Sequence, residues 1–83
     1  MNDDIKKEEK ENVDEILLKL QFYQTEKIKV HILLDSKRFY NGEVVKITNG
    51  LLVLNDSKLG VVPIPITRIF KVEKYKIGSF QDE

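Results

Sequence analysis

The sequence predicts a mainly β fold: an N-terminal α-helix followed by a strongly bent, five-stranded antiparallel barrel. Three observations carry that prediction. The apolar period changes from helical to alternating near Ile28. Asn-Gly, which tolerates the positive φ angles of a tight hairpin turn, occurs at Asn41-Gly42 and again at Asn49-Gly50, too close together for both to be turns. The apolar phase also slips between Val44 and Ile47, as it does at a β-bulge.

Eighty-three residues make one domain with a modest core. Residues 1–11 read as an acidic flexible tail, residues 12–76 as the folded domain with its helix at 12–24, and residues 77–83 as a polar C-terminal tail. The chain has no cysteine and a single histidine, His31, so neither a thiolate zinc site nor a disulfide framework is available. No metal and no cofactor is expected. The charged first residues and the lack of a long apolar run predict a cytoplasmic protein without a membrane segment. Net charge is zero, but unevenly spread: residues 1–15 hold seven acids and three lysines, and residues 16–83 hold eleven basic groups and seven acids. A mildly basic body therefore carries an acidic arm.

Asn12-Val-Asp-Glu15 has the form of a capping box, with Asp14 and Glu15 also placed well for the helix dipole. Val13, Ile16, Leu17, Leu20 and Tyr23 or Gln24 then form one apolar stripe that should cover a core. Ile28, Val30, Ile32 and Leu34 alternate with Lys29, His31 and Leu33, so the first strand is half-buried and His31 points away from the core. Asp35-Ser-Lys-Arg38 supplies a turn. The second strand must then pass straight through Asn41-Gly42, which makes Gly42 a point of bending or close backbone approach. Asn49-Gly50 becomes the hairpin turn into Leu51-Leu-Val-Leu54, a run apolar on both faces. Asn55 to Gly60 forms a second turn cluster, followed by a strand over Val61 to Ile66. Its prolines, Pro63 and Pro65, remove two amide donors from the same strand edge. After a break at Thr67-Arg68 the last strand runs from Ile69 to about Tyr75.

One helix and then five short, bent antiparallel strands with a glycine inside the second resembles the Sm-like family, which includes the Sm and LSm proteins and bacterial Hfq. The resembling residues are Arg38-Phe-Tyr-Asn-Gly-Glu-Val-Val-Lys-Ile, similar to the family's first motif, and Leu52-Val-Leu-Asn-Asp56, similar to its third strand. Ile66-Thr-Arg-Ile69 stands where the second motif would be, and the likeness covers about residues 14–75. It implies a small SH3-like barrel that self-associates into a ring of six or seven subunits and binds short single-stranded RNA. The ring would pair the fourth strand, Val61, Val62, Pro63, Ile64 and Pro65, with Ile69 and Phe70 on the fifth strand of a neighbour. This chain departs from the family in two places: Thr48-Asn-Gly50 is shorter than the family's RNA-binding loop, and Arg68 is followed by isoleucine instead of glycine. The prolines either blunt a solitary edge or sit on an irregular neighbour contact.

No phosphate loop, catalytic triad or metal-ligand spacing is visible, and Asp35, Glu43 and Asp56 read as scattered, solvated carboxylates. A non-enzymatic role is expected. Single-stranded RNA is the leading partner, through Lys37, Arg38, Tyr40, Lys46, Asn49, Lys58 and Arg68, with Phe39 or Tyr40 stacking on bases if exposed. Twelve lysines against two arginines favour salt-sensitive point-charge contacts. The rival reading is a protein-interaction module that accepts a partner strand at an exposed sheet edge and binds no RNA.

Overall fold

Helix α1 (Val13–Glu26) begins where the Asn12 side chain accepts a hydrogen bond of 2.9 Å from the Glu15 amide. It runs two residues beyond the expected end and stops at Lys27, whose left-handed backbone (φ 58°) turns its N–H onto the Gln24 and Tyr23 carbonyls. The structure, a computed structural model, describes residues 9–76. Fourteen residues make a marginal helix alone. Its stability comes from burying Ile16 and Leu20 completely, with Leu17 and Tyr23 packed beside them. Val13, expected on that stripe, is 43% exposed. Replacing Asn12 with alanine is expected to cost about 1 kcal/mol in urea unfolding, since it leaves the Glu15 amide without its cap.

Five antiparallel strands follow: β1 (Val30–Leu34), β2 (Phe39–Thr48), β3 (Leu51–Asp56), β4 (Gly60–Pro65) and β5 (Ile69–Lys74). They form one sheet in the order β4-β3-β2-β1-β5. The expected barrel closure is not part of this pairing. β4 and β5 are the two edges of the sheet, joined by one turn of 3-10 helix at Ile66–Arg68. Val30, Ile32, Val44, Leu52, Leu54, Ile64, Ile66, Ile69 and Val72 line the concave side and meet Ile16 and Leu20 from the helix.

β2 decides the shape. It passes through Asn41-Gly42 without turning, and Gly42 pairs with Val30 on one side and Asp56 on the other. A Cβ at Gly42 would lie 2.0 Å from the Asn55 carbonyl oxygen, so the two backbones meet here more closely than any side chain allows. Further along, pairing shifts between Val44 and Lys46, leaving Val45 as the extra residue of a bulge. Val45 is exposed, and its carbonyl accepts a 2.8 Å bond from Gln24 on the helix. At the hairpin end, Asn49 (φ 47°) and Gly50 (φ 76°) both take the left-handed conformation between the paired residues Thr48 and Leu51. That is the type I′ turn expected of Asn-Gly.

Lys10 and Glu11 depart from the expected flexible tail, whose residues 1–8 lie outside the described residues, as does the polar tail at 77–83. Lys10 donates to Asp35 (2.6 Å) and to the Thr67 carbonyl (2.9 Å), and the Glu11 amide donates to the Phe70 carbonyl (2.9 Å). No helix among the described residues is long and apolar enough to cross a membrane.

Candidate nucleic-acid interface

The β3–β4 turn is built around one carboxylate. Asp56 ends β3 and is only 8% exposed, contrary to its reading as a solvated turn residue. Its Oδ2 accepts from the Lys58 and Leu59 amides, each at 2.9 Å, and its Oδ1 accepts from the Asn41 amide at 3.0 Å. Burial pushes the Asp56 carboxyl up, but these three amides and the charge of Lys58 outweigh it and hold the pKa below the usual aspartate range. Ser57 ties the turn to β2 as well, its amide and hydroxyl both donating to the Asn41 carbonyl at 2.8 and 3.1 Å. Lys58 and Leu59 are thereby held out over the start of β2.

A cleft of about 350 Å³ opens beside this turn. It is lined by Ser57, Lys58 and Leu59 of the turn, by Phe39, Tyr40 and Asn41 of β2, and by Lys29 and Tyr75, which flank β1 and β5. The pairing explains the gathering: Asn41 lies opposite His31 on β1, and Gly42 lies opposite Asp56 on β3, so these short segments sit in one row across the sheet. The Lys29 ammonium stands 4.5 Å from the centre of the Tyr75 ring, a cation–π contact that fixes a positive charge at the rim. Phe39 is 57% exposed although it lies in a strand. Its ring centre is 5.2 Å from that of His31, and His31 Nδ1 lies 2.6 Å from the Asn41 Oδ1. His31 is thus half-buried and hydrogen-bonded, and not a free strand histidine. Among the described residues no group of carboxylates, histidines or cysteines could hold a metal ion.

The seven residues expected to contact RNA do not form one surface. Tyr40 and Lys58 reach the cleft, with Tyr40 half-buried against the core. Arg38 and Arg68 meet at the other end of β1, where they line a shallow hollow with Pro65 and Asp35, and Lys37 lies on the adjoining turn at φ 76°. Lys46 sits exposed on the bulge of β2, and Asn49 occupies the β2–β3 turn. The hollow beside Asn49 is walled by Val13, Leu17, Ile47 and Ile66, and offers little polar chemistry. Lys29, Asn41, Asp56, Leu59 and Tyr75 were missed. Asp56-Ser-Lys-Leu-Gly60 carried a usable signal, an aspartate able to accept from amides two and three residues on. Tyr75 carried none, because only the β1–β5 pairing brings it to Lys29.

The expected oligomer edge also divides. Val61, Pro63 and Pro65 are exposed, whereas Val62 is half-buried and Ile64 and Ile69 point into the core. Those three side chains face the core and add no side-chain contact to such an edge, and Phe70 is half-buried. The Ile66 amide donates to the Gly50 carbonyl, so by alternation the amides of Ile64 and Val62 also face β3. The nitrogens of Pro63 and Pro65 then lie on the open side, which presents carbonyls and, within Val61–Pro65, the single donor of Val61.

Comparison with family models, with curated proteins and with solved structures gives no match for this chain.

Proposed function

We propose that this chain is a non-enzymatic, Sm-like module that binds single-stranded RNA through the cleft between the β3–β4 turn and the start of β2. The observation that carries the reading is Phe39: a strand aromatic left 57% exposed in a cleft that Lys29 and Lys58 also line. An exposed ring offers a stacking face to any base, and flanking ammonium groups suit a phosphate backbone. The cleft is at the small end of ligand sites, which suits one or two nucleotides and not a long tract. The element order supports the Sm-like resemblance, while the two-residue Asn49-Gly50 turn and apolar surroundings there argue for RNA at the other end of the barrel-like sheet from the family's usual loop.

The rival reading, a strand-accepting adaptor, is favoured by one observation: the open side of β4 presents three carbonyls, those of Val61, Pro63 and Pro65, with little competition from donors. Fluorescence anisotropy with short labelled uridine and adenine oligonucleotides at about 50 and 200 mM salt separates the two. Binding at low salt that weakens with salt is expected, and Phe39→Ala should weaken it roughly tenfold or more, the loss of one base stack. No binding at low salt removes the RNA reading.

A further inference from the structure

β5 is an edge strand, yet its open side is already occupied. The Glu11 amide donates to the Phe70 carbonyl at 2.9 Å, Glu11 Oε1 accepts from the Val72 amide at 3.0 Å, and Lys19 Nζ donates to the Val72 carbonyl at 3.1 Å. Lys19 also holds Glu11 Oε2 at 2.5 Å. Three successive groups of the edge are thus satisfied by one residue before the helix and one lysine on it. Lys10, bonded to Asp35 and the Thr67 carbonyl, anchors the same strap. Edge strands left bare invite pairing, and natural proteins cover them.

We propose that this strap is a releasable cover, and that the strand it excludes is β5 of a second copy. The two edges of the sheet differ in what they can pair with. β4 pairs poorly with another β4, because within Val61–Pro65 its open side offers three carbonyls but only the Val61 donor. β5 has no proline, and its open side alternates donor and acceptor. The Tyr75 amide donates to Lys29 on β1, so the amides of Lys74 and Val72 face outward. Antiparallel β5–β5 pairing about a two-fold axis through Val72 exchanges both Val72 bonds and sets the Lys74 amide against the second copy's Phe70 carbonyl. In that register Lys71 lies opposite the second copy's Glu73, and Glu73 opposite its Lys71. Both charge pairs are complementary, whereas a like-charged pair there would oppose association. Within one chain Lys71 and Glu73 already form an ion pair of 3.0 Å, so both charges lie on the face of β5 that the pairing would use. The strap occupies the space a second strand would need, and the dimer forms only when the strap leaves.

This inference goes beyond the RNA reading and does not use the cleft, so sedimentation and oligonucleotide titration fail independently. Sedimentation velocity over a concentration series on the full chain tests it. Glu11→Pro removes the strap amide and carboxylate together and is expected to shift association to roughly tenfold lower protein concentration or beyond, the effect of losing charge-assisted contacts that hold the edge. Adding Lys74→Pro, which takes a donor only from the open side, should return the chain to monomer. Adding Lys71→Glu should do the same, and the swap Lys71→Glu with Glu73→Lys should restore the dimer. Glu11→Ala, which keeps the backbone bond, gives a smaller shift in the same direction if the proline variant does not fold. A folded Glu11 variant that stays monomeric at every concentration overturns the proposal. So does a dimer indifferent to Lys74→Pro, which would place the contact away from the open side of β5.

Discussion

Gly42→Ala is expected to lower stability by about 3 kcal/mol, a large share of the roughly 3–10 kcal/mol that a domain of this size possesses. The reason is steric and not torsional, since Gly42 is not among the glycines at positive φ. The added methyl carbon would sit 2.0 Å from the Asn55 carbonyl oxygen, 2.7 Å from its carbon and 2.9 Å from the Asp56 Cα. All three are backbone atoms of β3, so no side chain can swing aside. β2 and β3 must part at Glu43–Asn55 and Gly42–Asp56, and the same displacement pulls the Asn41 amide off the Asp56 carboxylate. Gly50→Ala is the instructive comparison, because it meets nothing within 4 Å and is opposed only by its φ of 76°. It should cost about 1 kcal/mol. Urea unfolding followed by far-UV circular dichroism ranks the two, and a Gly42→Ala chain within about 0.5 kcal/mol of wild type would refute the close approach.

Asp56→Asn should destabilise by about 2 kcal/mol near neutral pH, corresponding to a Tm lower by roughly 8–16 °C. An amide keeps one acceptor oxygen for the turn but presents an NH₂ group where the Asn41 amide now donates. The turn lies at the surface, so solvent screens the charge and keeps the effect moderate. The pH dependence carries the sign. The folded carboxyl has its pKa lowered, so its stabilisation is complete above the unfolded aspartate pKa and is lost as pH falls through the folded value. The gap between wild type and the Asp56→Asn chain should therefore narrow in acid, from about pH 5 downward. A gap that stays constant to the acid limit would show that the carboxylate's charge contributes nothing there.

Much of the architecture was legible because local chemistry and global pairing agree. Asn12 caps, Asn49-Gly50 turns, Gly42 admits a neighbouring backbone, and the phase slip is a bulge. Each is a short-range constraint that a residue type announces. The edge of β5 was not legible: nothing in Lys10-Glu11, read as part of a charged tail, reveals that a strand 59 positions or more downstream lacks partners. The candidate interface fared in between. Counting basic residues near turns treated all turns as neighbours, but although the β1–β2 and β3–β4 turns both flank the first half of β2, the second abuts Asn41-Gly42 while Arg38 lines a hollow with Arg68 and Pro65, so Arg38 and Lys58 face different hollows. Tyr75 and Lys29 join the cleft through pairing across 46 residues, which no local pattern encodes.

The bulge at Val45 also has a meaning as arithmetic. Val44 pairs with Leu54, Lys46 with Val53 and Ile47 with Leu52, so the partners on either side are those of a strand from which Val45 had been omitted. Its presence changes no pairing partner. It adds length to one strand alone, as an extra stitch does to one row of a fabric, and the difference must appear as curvature. The carbonyl freed by that stitch is the one Gln24 holds, so the same surplus residue both bends the sheet and supplies the point where the helix is fastened to it.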